Sequence, residues 1–149
     1  MIADLKSLYT RDLTRLKTEI ASYRDENCLW LIEKEIANSA GNLCLHLIGN
    51  LNAYIGAGLA KTGYVRQRDL EFSQKNIPQT ELVKMIEGTI QVVETGLNSL
   101  SENDMKADFP LLIWDKPTEM RYTLVHLLTH LNYHLGQINY HRRLLTTAL

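Results

Sequence analysis

Cysteine is scarce. Cys28 and Cys44 are the only two in 149 residues, and neither belongs to a CxxC pair. That excludes a disulfide-stapled scaffold and leaves two free thiols in a reducing compartment as the expectation. With only three prolines and 45% hydrophobic residues, the chain is neither disordered nor collagen-like. No sign of charge dominates: sixteen Lys and Arg against seventeen Asp and Glu leave −1, so no positive field recruits nucleic acid or an anionic membrane. Long apolar runs are missing too. The opening MIADLKSLYTRDLTRLK mixes charge with apolar positions, unlike a signal peptide, and no stretch reaches a membrane-spanning length, so a cytoplasmic protein is expected.

What the chain does have is helical periodicity. Ile2, Leu5, Tyr9, Leu13, Leu16, Ile20 and Tyr23 recur at steps of three and four, which predicts a helix with one buried stripe. Residues 24 to 37 break that pattern, and the short apolar run Trp30-Leu31-Ile32 reads as a loop packed across a bundle end. A second helix is expected from Asn38 or Ser39, both able to cap, to about Ala60, just before Lys61-Thr62-Gly63. It is apolar almost all round, which suits a central position. Its small residues Gly49, Ala53, Gly56, Ala57 and Gly58 would let neighbouring helices approach closely.

A polar connection carrying Arg66, Arg68, Asp69 and Glu71 should then lead to a third helix over about 80 to 100, capped by Thr80. Residues 101 to 117 hold two prolines and the run Phe109 to Trp114, which suits a strand-like segment or lid. A fourth helix should run from about Thr118, as its N-cap, to Thr146. The expected fold is all-α: a four-helix bundle with long crossover loops, in one domain spanning 1–149.

Four of the five histidines, His126, His130, His134 and His141, lie on that last helix. Histidines at i and i+4 share a helix face and can reach one ion, whereas eight residues separate two rings by about 12 Å along the axis. With the core direction set by Leu124, Leu127, Leu128, Leu131, Leu135 and Ile138, the pair nearest the core is His130 and His134, and His126 turns toward solvent or the site's margin. The one other histidine is His46, which shares an i, i+4, i+8 stripe with Asn42 and Asn50, two amides placed to orient the ring or a ligand. Three imidazoles bind zinc, nickel, copper or ferrous iron and leave a position open for water or substrate. On spacing alone a second interpretation stands beside this one, and it is the default: ordinary core or surface histidines.

The stretch His126-Leu-Leu-Thr-His130-Leu-Asn-Tyr-His134-Leu-Gly136-Gln137 resembles the HxxxHxxYHxGQ signature of the DinB-like (DinB/YfiT) superfamily. Residues 42–51 and 66–72 resemble an uncharacterised branch of it. The resemblance covers most of the chain and implies a four-helix bundle in which His46, His130 and His134 hold one divalent metal, zinc or nickel ahead of iron or copper. Leu135 departs from the pattern, standing where many relatives have arginine. Characterised relatives include thiol S-transferases that use low-molecular-weight thiols such as bacillithiol or mycothiol, so the resemblance implies a small-molecule substrate and a metal-activated thiol. The alternative is a non-catalytic, metal-binding stress-response or interaction module, whose surface would suit a homodimer.

Around the trio, Gln137 is read as a partner of a ligand or as interhelical glue. Arg66 and Arg68 could grip a carboxylate or phosphate; with Asp69 and Glu71 they read better as a salt-bridged loop clamp. Trp30, Trp114 and Tyr133 are placed either at a pocket mouth or in ordinary packing.

Overall fold

The computed structural model describes residues 1–145. The stripe counted from Ile2 becomes helix α1, Ile2–Ala21, with Ile2, Leu5, Tyr9, Leu13, Leu16 and Ile20 buried along one face. Tyr23, the last member of the stripe, lies past the helix end but is also buried. A 3₁₀ turn, Glu26–Trp30, then folds Cys28 and Leu29 inward and leaves Leu31 and Ile32 exposed.

Helix α2, Ala40–Leu51, begins at Ser39, whose hydroxyl accepts from the Asn42 amide. Every residue of α2 is buried, as its all-round apolar character requires. It does not continue as an α-helix to Ala60: Asn52–Ala57 widens into a π-helical turn, with Ala60 N donating to Ile55 O at 2.9 Å. Lys61 and Gly63 then take positive φ, and the chain leaves the helix.

The main departure from expectation is in helix number, five instead of four. The connection read as polar loop contains helix α3, Arg68–Ser73, which packs on α2. Helix α4 is Gln79–Asn98, and its N-cap position is Pro78. Thr80, expected to cap it, sits inside the first turn. The free amide of Gln79 is met by Glu26 Oε2 at 2.8 Å, and the Gln79 side chain donates to Ile20 O and Tyr23 O, covering the end of α1.

Residues 101 to 117 open with a capping box between Ser101 and Asp104. The strand-like character predicted there reduces to one isolated antiparallel bridge, Asp108 with Glu119, and no sheet forms among the described residues. Phe109 N donates to Thr118 O at 2.8 Å in that bridge, and the Thr118 hydroxyl pairs with the Thr123 hydroxyl at 2.7 Å instead of a helix amide. Helix α5 starts two residues after Thr118, at Met120, and runs to Leu145; Thr146 lies outside the described residues.

Helix α1 packs on α4 and α5, and α2 packs on α5 and α4. Tyr9 pairs with Leu124, Asp12 with Asn132 and Glu19 with Asn139, so α1 and α5 run parallel. The start of α4 meets the end of α1, and Ile2 meets Glu102 beyond the end of α4, so those two helices are antiparallel. Asn52 against Thr89 and Ile55 against Gly96 make α2 and α4 parallel. Two parallel helices joined in sequence need a connection that recrosses the molecule, and the segment between them, which carries α3, does this.

Candidate metal centre

Helix α2 presents His46, which is 7% exposed, and the middle of α5 presents the half-buried His130 and His134. His46 Nε2 lies 3.1 Å from His130 Nε2. The ring centroids are 4.9 Å apart for His46 and His130, 5.2 Å for His46 and His134, and 4.6 Å for His130 and His134. One nitrogen from each ring can be chosen so that all three lie within 4.8 Å of one another. Two nitrogens bound at about 2.0–2.1 Å with a tetrahedral angle are about 3.3 Å apart, so the His46–His130 pair already fits and the third ring is within reach of side-chain rotation. Neutral nitrogen donors on two helices, with no carboxylate among them, suit a borderline ion such as zinc.

Two of the three rings, His46 and His134, are prepared for this by a partner on one ring nitrogen. His46 Nδ1 donates to Glu71 Oε1 at 3.0 Å, which turns the Nε2 lone pair toward the other two rings. Glu71 is itself buried and gripped by Arg66, whose Nε reaches Oε2 at 2.8 Å and whose Nη2 reaches Oε1 at 2.9 Å. The Arg66 guanidinium also lies 5.9 Å from the centroid of the Tyr54 ring. His134 Nδ1 pairs with Gln137 Oε1 at 2.7 Å. Burial holds the His46 imidazole below its ordinary pKa, against the opposing hydrogen bond from Glu71. Burial, and then the neighbouring His134 and His46, push His130 down to about 4. Both therefore stay neutral near pH 7, the form that binds metal.

Local sequence explains why Glu71 can lie so close to α2. A Cβ at Gly49 would stand 2.0 Å from Glu71 Oε2, so only glycine admits the carboxylate at that point. Sequence reasoning gave Gly49 to helix–helix approach and Glu71 to a loop clamp, and it missed that the two form one device supporting His46. A usable signal existed: Gly49 lies three residues past His46, on the same face of an otherwise bulky helix.

The remaining candidates divide. Asn42 does not touch the His46 ring; its Nδ2 donates to Glu71 O and Gln74 O, both at 2.9 Å, and so fastens α3 to α2. Asn50 is buried with its Oδ1 unpartnered among the described residues, as is His130 Nδ1. His126 is not brought to the cluster and packs against Trp114, ring centroids 4.7 Å apart. The Arg66 clamp interpretation matches the geometry, while Arg68 is exposed with its guanidinium 5.8 Å from the Phe72 ring. Trp30 packs over Gly41, and Tyr133 is exposed beside His134 at 5.2 Å. Both cysteines are free and buried, and burial raises the Cys44 thiol to about 12, so that side chain is no nucleophile.

A family model described as "Protein of unknown function (DUF1572)" matches residues 3–148. No curated protein matches the chain.

Proposed function

The chain belongs to the DUF1572 family, and on that premise we propose that His46, His130 and His134 hold one divalent metal ion, zinc or nickel by preference. The observation that carries this reading is the 3.1 Å approach of two Nε2 atoms from separate helices, with a nitrogen of His134 in the same cluster. We extend it to a metal-dependent thiol S-transferase of DinB-like type, whose four-helix bundle comprises α1, α2, α4 and α5, with α3 inserted in the crossover.

When bound, the ion would act as a Lewis acid that keeps a low-molecular-weight thiol deprotonated near neutral pH. The chain's own residues hold the ligand set: Glu71 and Arg66 fix the His46 tautomer, and Gln137 fixes that of His134. The transfer forms a carbon–sulfur bond and releases the electrophile's leaving group, with the thiol proton passing to solvent. A nucleophile supplied by the co-substrate agrees with the inert Cys44. No helix among the described residues is long and apolar enough to cross a membrane. We carry a single domain, a cytoplasmic location and a homodimer forward as parts of the same proposal.

The test is conjugation. Untagged, metal-loaded protein is expected to join a low-molecular-weight thiol to a chlorobimane, and the His46→Ala and His134→Ala variants to lose the activity. Failure with every such thiol would leave a metal-binding module without catalysis.

A further inference from the structure

His134 has a second role. It lines a cleft of about 720 Å³, within the size range of small-molecule sites. One wall is α5, from Tyr133 and His134 out to Leu144 and Leu145. Ten residues of helix separate His134 from Leu144, so the cleft extends about 15 Å away from the histidine cluster. The facing wall is the segment 33–38, together with Leu43 of α2.

That wall is fastened in place. His141 Nε2 donates to Leu31 O at 2.9 Å, and its Nδ1 accepts from the Tyr23 hydroxyl at 2.7 Å. The buried His141, itself part of the lining, therefore ties Leu31, two residues before the 33–38 wall, to α5.

The lining chemistry selects against an anion. Ile36, Leu43, Tyr140 and Leu144 supply apolar surface, and Ile36, Tyr140 and Leu144 are 42%, 65% and 69% exposed with nothing covering them among the described residues. Lys34 is the one lysine or arginine of the lining, and its sequence neighbours Glu33 and Glu35 line the cleft too. A phosphate or carboxylate would find no net positive field there. Gln137 accepts from His134 through Oε1, which leaves its amide NH₂ available to a ligand at the histidine end.

We propose that this cleft takes an elongated, non-anionic small molecule with an apolar body, its polar head at His134 and Gln137 and its body along α5 toward Leu144. The placement of the head rests on the metal reading above; the apolar selection does not. The probes are 1-alkylimidazoles from methyl to octyl, titrated calorimetrically at pH 8 into the full chain, both zinc-loaded and chelator-stripped.

Affinity is expected to rise roughly two- to fourfold per methylene in both forms, and zinc to raise it further at every length. The exposed-site variants Ile36→Glu and Leu144→Glu should flatten the rise without changing the helical circular dichroism, whereas Tyr122→Glu, remote from the cleft, should leave it intact. Affinity independent of chain length in both forms would overturn the proposal. A rise with chain length but no gain from zinc, in protein shown to carry one zinc ion, would overturn the head placement alone, whereas failure to take up zinc at all would overturn the metal reading. A dimer that blocks the probes as protein concentration increases would assign the face to a second copy of the chain and overturn the small-molecule assignment.

Discussion

Consider replacing Glu71 by glutamine, which keeps the shape of the side chain and removes its charge. In the native site the carboxylate accepts from His46 Nδ1 at 3.0 Å and from two Arg66 nitrogens at 2.8 and 2.9 Å. A glutamine can offer one carbonyl oxygen to His46 or to Arg66, but its NH₂ group must then point at a donor. Arg66 loses its counter-ion in either orientation, and with the carbonyl turned to His46 its guanidinium also faces the amide NH₂. With the carbonyl turned to Arg66, His46 is pushed toward the tautomer that places a hydrogen on Nε2.

Loss of such a supporting carboxylate typically weakens metal affinity 10- to 100-fold, about 1.4–2.7 kcal/mol. The metal-free fold should weaken as well. Breaking a buried ion pair from one side costs about 3–5 kcal/mol when both partners are enclosed, and here the Arg66 side chain keeps 17% exposure, so a loss nearer 2–3 kcal/mol is expected. Zinc affinity is read by competition with a chromophoric chelator, and stability by urea unfolding of the stripped protein. Asp69→Asn on the exposed face of α3 serves as the control. Unchanged zinc affinity in Glu71→Gln would refute the argument that this carboxylate prepares the site.

Two further outcomes follow from the same geometry. Gly49→Ala drives a methyl into the Glu71 carboxylate, 2.0 Å from Oε2, and should cost about 1–3 kcal/mol in urea unfolding while lowering zinc affinity in the direction of Glu71→Gln. Burial holds His141 below its ordinary pKa, partly opposed by its bond to Leu31 O, so the unfolded chain takes up this proton more readily than the folded one. Its contribution to stability is therefore complete above about pH 6.5 and is lost as pH falls through the depressed folded value. The urea-midpoint advantage of wild type over His141→Leu should shrink between pH 7 and pH 5, and an advantage that grows over that range would contradict the assignment.

Much of this was legible in the sequence where a single periodicity decides the outcome. The α1 stripe and the all-round burial of α2 follow from spacing and composition, and so does the choice of His130 and His134 over His126, because burial direction is a property of one helix. Helix α3 was not legible: six residues with two acidic side chains and an arginine look like a solvated loop until Asn42 takes its carbonyls from 29 and 32 residues away. Glu71 was misjudged for the same reason, since a carboxylate in a charged run reads as exposed and only the space left by Gly49 admits it to the interior. Thr80 and Thr118 both look like caps in sequence. Neither caps a helix: Glu26 reaches the first amide of α4 from a distant turn, and the Thr118 hydroxyl pairs with that of Thr123. The cleft beside His134 brings the 33–38 segment to the far half of α5, a juxtaposition no local pattern encodes.

The most direct test is an anomalous-scattering crystal structure of untagged protein. One peak is predicted between α2 and α5, about 2.0–2.1 Å from one nitrogen of each of His46, His130 and His134. A map with no cation there, and the three rings turned away from one another, would contradict the account.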